Sequence, residues 1–244
     1  MGLVYLVVVT ETYYGEIQMG RIDDYSQYRI ADIKRNLQRM GVWPLDVMVT
    51  GVTGAGKSTT LNSFFRKTVA TVGEGVDSQT MEITDYRLSE LFRIWDTPGL
   101  GDGVNRDVLH KREITKLLNR TYSGYKFIDL VLVIIEGSNR DMGTTYTLLN
   151  EVIIPNITPD RILVAINKAD FAMKGRHWLE NQDCPDEILL NYLNEQADSV
   201  QRRVLEGTGK RICRPIFYSA EYGYNIDKLL DLIIDHIPSA RLAV

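Results

Sequence analysis

The sequence predicts an α/β fold of three layers: a mostly parallel six-stranded sheet with one antiparallel edge strand, and helices on both faces. Three observations carry this. The runs Leu130–Ile135 and Ile162–Ile166 are apolar at every position, as strands are when helices cover both faces of a parallel sheet. Strand-like and helix-like segments alternate from residue 45 onward, the order that gives parallel strands with helical crossovers. At 45–65 a short strand-like run, a glycine-rich turn and a helix-compatible stretch follow one another directly.

Taken in order, Leu3–Val9 is an uncharged apolar run. It is far too short to span a bilayer and has no basic leader or cleavage site, so a buried or edge strand is expected. Residues 10–27 are polar and tyrosine-rich and read as a linker or a loosely packed extension. From Tyr28 to Met40, Ile30, Ile33 and Leu37 recur at helical spacing, and Gly41 and Pro44 follow, which predicts an amphipathic helix and its stop. The chain therefore divides into an N-terminal extension, 1–41, and a main domain, 42–240. Within the latter, strands are predicted at 45–50, 81–88, 90–96, 127–136, 160–167 and 214–219, and helices at 57–67, 107–122, 142–153, 186–206 and 225–236. Segments 81–88 and 90–96 meet at a turn at Ser89 and pair as a hairpin, which supplies the antiparallel edge.

Composition narrows the functional classes. The chain has 244 residues, 44% hydrophobic and 25% charged, with a net charge of −4, so nothing global favours a nucleic-acid backbone. The basic cluster Lys210, Arg211 and Arg214 is short and reads as a solvated loop. Two cysteines, Cys184 and Cys213, make neither a disulfide framework nor a zinc site; reduced thiols and a cytoplasmic location are expected.

The chemistry begins at Gly51-Val52-Thr53-Gly54-Ala55-Gly56-Lys57-Ser58, which fits G-x-x-x-x-G-K-[ST] between a strand and a helix that Thr59 continues. Such a loop wraps consecutive backbone N–H groups around a polyphosphate, and the helix N-terminus adds its positive end. Lys57 is then placed to neutralise the outer phosphates and Ser58 to take one position on Mg²⁺. Asp96-Thr97-Pro98-Gly99 ends the apolar strand that precedes it. A carboxylate there sits where ligands bind in open α/β sheets and can hold Mg²⁺ opposite Ser58, while Gly99 brings a bare N–H to a terminal phosphate. Asn167-Lys168-Ala169-Asp170 ends another buried strand. The Asp170 carboxylate can accept two hydrogen bonds from guanine's ring N–H and exocyclic amine, a pair adenine lacks, and a site built that way rejects the wrong base strongly. Lys168 is expected along the base, and Asn167 to tie loops together. At Ser219-Ala220 a small residue lets a backbone N–H reach a purine carbonyl oxygen.

Together, Gly51–Ser58, Asp96–Gly99, Asn167–Asp170 and Ser219-Ala220 resemble, in order, the G1, G3, G4 and G5 boxes of the translation-factor class of P-loop GTPases. The resemblance covers residues 45–237. It is nearest to the Era-like bacterial GTPases, and the loop 174–188 resembles a prophage-associated branch of them; Gly51–Ser63 also resembles septin-like and immunity-associated GTPases. The resemblance implies a G domain that binds and hydrolyses GTP with Mg²⁺. It also implies a switch threonine that chelates Mg²⁺ and senses the γ-phosphate. Thr80 is preferred for that role over Ser78 and Thr71, and Gly73 and Gly75 suit a mobile loop.

Two positions depart from better-known members. Leu100 stands where Ras-type proteins carry a water-orienting glutamine, so slow intrinsic hydrolysis is expected unless a partner or a dimer mate completes the site. Gly54 stands where potassium-activated relatives carry asparagine, so no potassium stimulation is expected by that route. His110, beside Lys111 and Arg112, reads as part of a solvated face. His177, with Trp178 and Cys184, lacks metal spacing, and His236 reads as a helix-end residue. The expected function is a GTP-hydrolysing switch with an unknown effector protein. The alternative is a GTP-dependent homodimerisation module, and an ATP-dependent enzyme is disfavoured by Asn167–Asp170.

Overall fold

The computed structural model describes residues 25–41, 43–65, 83–101, 103–138 and 142–244. The strand expected at 3–9 and the switch candidates Thr71, Ser78 and Thr80 lie outside them. In chain order, a 3₁₀ turn at Tyr25–Gln27 leads into helix α1 (Ile30–Met40), strand β1 (Leu45–Gly51) and helix α2 (Lys57–Phe65). Strands β2 (Thr84–Ser89) and β3 (Phe92–Asp96) follow, then helix α3 (Val104–Asn119) and the short strands β4 (Thr121–Tyr122) and β5 (Tyr125–Lys126). Next come β6 (Leu130–Glu136), helix α4 (Gly143–Leu148), which continues as a π-helix over Leu149–Ile153, and β7 (Ile162–Asn167). The chain closes with β8 (Trp178–Leu179), β9 (Cys184–Pro185), helix α5 (Glu187–Thr208), β10 (Ile216–Phe217) and helix α6 (Ile226–Asp235).

Six strands form the main sheet in the order β10-β7-β6-β1-β3-β2. All neighbours are parallel except β2 and β3, which pair antiparallel at the edge. The period-two alternation of strand side chains sorts the central strand cleanly. Leu130, Leu132 and Ile134 enter one core with α1, α2 and α6. Val131, Val133 and Ile135 enter another with α3, the π-turn and α5. Helices therefore cover both faces, and α1 packs in the same layer as α2 and α6 through Ile33 and Leu37.

Several boundaries differ from the sequence reading for local reasons. The β2–β3 turn is at Glu90–Leu91, with Ser89 still paired to Phe92. Helix α3 begins at Val104 rather than 107 and ends at Asn119, because Thr121 and Tyr122 pair with Lys126 and Tyr125. Strands expected from 127, 160 and 214 start at Leu130, Ile162 and Ile216. Helix α5 starts at Glu187, where the Asp186 side chain accepts the Leu189 N–H, an N-cap. None of the helices among the described residues is long and apolar enough to cross a membrane.

Candidate functional site

Parallel register brings four strand ends to one edge of the sheet. Gly51 lies beside Ile134, Glu136 beside Asn167, and Val49 beside Asp96. Chain segments that leave a parallel sheet here meet in the crevice where α/β proteins bind ligands.

On the side expected to meet phosphate, the loop 51–58 runs into α2, whose first residue is Lys57. The Lys57 side chain is buried and folds back over its own loop, Nζ donating to the carbonyls of Val52 at 3.1 Å and Gly51 at 3.4 Å. That holds a cation at the centre of the loop. Ser58 and Thr59 are half-buried in the first helical turn. Two glycines are required by geometry. Gly56 has φ +87°, and a Cβ there would fall 2.2 Å from Asn167 Nδ2. A Cβ on Gly99 would fall 2.6 Å from Thr53 Oγ1 and 2.8 Å from Lys57 Nζ, so Gly99 rests directly on the phosphate loop. Residues 97–100 are zipped onto β1 and its loop. Thr97 N donates to Val49 O at 3.2 Å, Leu100 N to Gly51 O at 3.3 Å, and Thr53 N to Leu100 O at 2.8 Å. Asp96 is buried at the end of β3, while Leu100 is 1% exposed and belongs to the core.

The side expected to meet the base is built around Asn167. Its Nδ2 donates to Ala55 O at 2.9 Å and its Oδ1 accepts the Ala220 N–H at 3.1 Å, so one carboxamide joins the phosphate loop to the 219–220 turn. Two further bonds reinforce that joint: Ser63 Oγ donates to Ala220 O at 2.6 Å, and the hydroxyls of Thr60 and the fully buried Tyr218 lie 2.8 Å apart. Burial pushes the Tyr218 phenol well above its ordinary pKa, so it stays a neutral link. Ser219 is buried, donates its N–H to Tyr224 O at 3.0 Å and accepts the Tyr222 N–H at 3.3 Å. Lys168 sits at φ 60° and pairs with Glu136 at 3.2 Å. Asp170 Oδ1 is buried without a hydrogen-bond partner among the described residues, as is Thr53 Oγ1.

The structure corrects one reading outright. His110 is not on a solvated face: it is 4% exposed, and its Nδ1 lies 2.8 Å from Gly99 O. The available signal was spacing rather than adjacency. His110, Ile114, Leu117 and Leu118 are all buried and recur at i, i+4, i+7 and i+8, one face of a helix. His177 pairs with Asp186 at 2.8 Å, and His236 bonds Leu232 O at the end of α6. Lys210, Arg211 and Arg214 are exposed, Arg214 paired with Asp198.

A family model described as 50S ribosome-binding GTPase matches residues 46–168, half of the chain. A second, the elongation factor Tu GTP binding domain, matches 116–239. The chain belongs to the P-loop GTPases. GTPase Der of Thermosipho africanus is 28% identical to this GTPase over 202 residues, 81% of the chain; the chain spans 38% of the length of Der. Among solved structures, Toc33 from Arabidopsis thaliana with GDP and Mg²⁺ superposes with a TM-score of 0.61 at 18% identity, covering 89% of this GTPase and 94% of Toc33. Aquifex aeolicus Era bound to GDP·AlF₄⁻ gives 0.55 at 19% identity, covering 81% of this chain and 58% of Era. At these identities the structures establish the shared fold.

Proposed function

We propose that this GTPase binds GTP at the strand ends described above, hydrolyses it to GDP and phosphate with Mg²⁺, and acts as a nucleotide-dependent switch in the cytoplasm. The observation that carries the reading is Asp170 Oδ1, a buried carboxylate oxygen without a partner among the described residues in the same turn as the Asn167 joint. Guanine's two N–H donors are what such an acceptor requires. Ser58 and Asp96 are oxygen donors suited to a hard cation that keeps most of its sites for phosphate and water, and Thr80 is assigned the third protein ligand. Bound Mg²⁺ supplies positive charge to the phosphates. Lys57 takes charge developing on the outer phosphates, and the Gly99 N–H reports whether the last phosphate is there. Ala220's N–H, assigned to the purine carbonyl oxygen, is held by Asn167 at 3.1 Å, so base and Asn167 would share that donor. The 28% identity to Der supports assignment to the bacterial Era-like branch.

The buried Leu100 side chain favours a second reading. It cannot orient water, so turnover is slow until another molecule completes the site, and a second copy is one source. Dimerisation is described as important for the GTPase activity of Toc33, whose structure covers 91% of this chain. Calorimetric titration with GDP, a non-hydrolysable GTP analogue and ATP tests the first reading. Guanine nucleotides should bind and ATP should not, and Lys57→Ala should weaken the GTP analogue on the order of 100-fold. ATP binding as tight as GTP would reject it. Sedimentation with the analogue against GDP decides whether assembly accompanies binding.

A further inference from the structure

Gly99 is gripped from two sides. On one it rests on Thr53 and Lys57, where no added Cβ would fit. On the other its carbonyl meets His110 Nδ1 at 2.8 Å, inside the protein. A carbonyl oxygen only accepts, so Nδ1 carries the proton and donates. A second tie joins helix α3 to this loop, the Gly101 N–H donating to Asp107 Oδ1 at 2.8 Å, and it is exposed. Water can replace an exposed bond at little cost, whereas a buried carbonyl that loses its donor goes without. His110 is also rigidly mounted: Ile114, Leu117 and Leu118 on the same face are locked in the core. A displacement of Gly99 must therefore either break the buried bond or carry α3 with it.

We propose that His110 is the positioning residue that couples Gly99 to helix α3, so that occupation of the terminal-phosphate site is passed to the helix through one hydrogen bond. This rests on the nucleotide-switch reading above. It concerns a residue that touches neither nucleotide nor metal in that reading.

Hydrogen exchange over 104–119 of the full chain, with GDP and with a non-hydrolysable GTP analogue, tests it. His110→Asn keeps a donor N–H close to the Nδ1 position, His110→Gln moves it towards Nε2, and His110→Ala removes it. Wild type should show different α3 protection with the two nucleotides, and His110→Asn should retain the difference. His110→Gln and His110→Ala should shrink it by about three- to tenfold, the worth of one hydrogen bond, while GDP affinity stays within about twofold. Retention of the difference in His110→Gln and His110→Ala would overturn the proposal. So would its loss in His110→Asn alongside the others, which would mark packing rather than the bond. Wild type that binds both nucleotides but shows no α3 difference overturns the coupling and leaves nucleotide binding standing. Failure to bind either nucleotide overturns the parent reading first.

Discussion

A buried carboxylate oxygen without a donor costs on the order of 1–3 kcal/mol or more, and Asp170 Oδ1 stands in that state among the described residues. Replacing Asp170 with Asn exchanges one acceptor for a donor. Guanine's exocyclic amine then meets an N–H, while xanthine, with a carbonyl at that position, gains a partner. Asp170→Asn should lose roughly 100-fold or more in GDP affinity and gain affinity for xanthosine diphosphate; competition titration of the two nucleotides measures both. Equal losses for both would show that Asp170 acts through folding instead. Residues of this kind were legible in the sequence because their chemistry is local: a turn of fixed order at a strand end says what Asn167 and Asp170 can bond. His110 was hidden because its neighbours Lys111 and Arg112 suggested solvent. Successive helical residues point about 100° apart, so only positions three and four away share its surroundings.

At the scale of elements, helical spacing and continuous apolar runs located the long helices and buried strands of the described residues, but elements of two residues are too short to show either. Hairpins β4–β5 and β8–β9 have two residues per strand. The first still carried a signal in Ser123-Gly124, both with positive φ, as a tight I′-type hairpin turn requires. Helix α1 shows the opposite case, a clear amphipathic pattern whose destination could not be read. Its stripe fits the groove beside α2 and α6, with Leu37 fully buried against them. Arg29 fixes its start to Asp231 and Asp235, each at 2.8 Å. Leu37→Ala removes a fully buried side chain and should cost about 2–5 kcal/mol, lowering the melting temperature by about 2–4 °C per kcal/mol. Scanning calorimetry checks this. A change within about 0.5 kcal/mol would mean that α1 is detachable from the core rather than part of it.

Across the whole molecule the two ends of the sheet have opposite chemistry. The carboxyl ends carry the candidate nucleotide site, whereas the amino ends close over buried charge. Arg241 bonds Asp129 at 2.9 Å and Asp46 at 3.2 Å, Arg93 bonds Asp46 at 2.6 Å, and Arg161 donates to the carbonyls of Asp129 and Ala240. Lys126 N donates to Leu242 O at 2.7 Å and Val244 N to Gly124 O at 3.2 Å, so the segment after α6 is bonded to the β4–β5 hairpin. Asp46 and Gly51 are five residues apart on β1, about 17 Å at strand rise, so this lock can be altered without touching the base or the phosphates. Burial pushes the Asp129 carboxyl above the usual carboxylate range, and Arg241 pulls it back. Removing Arg241 must therefore raise it further. A carboxyl whose folded pKa lies above its unfolded one loses stability as pH rises through that window, because ionisation is easier in the unfolded chain. Arg241→Ala should consequently cost about 3–5 kcal/mol near neutral pH and distinctly less near about pH 4, where a protonated Asp129 no longer needs the guanidinium. Urea unfolding of both proteins at the two pH values, with GDP-over-ATP selectivity measured alongside, separates the terms. A deficit independent of pH would assign the lock to the packing of Arg241's side chain. A change in selectivity would mean that the two ends of the sheet are energetically joined.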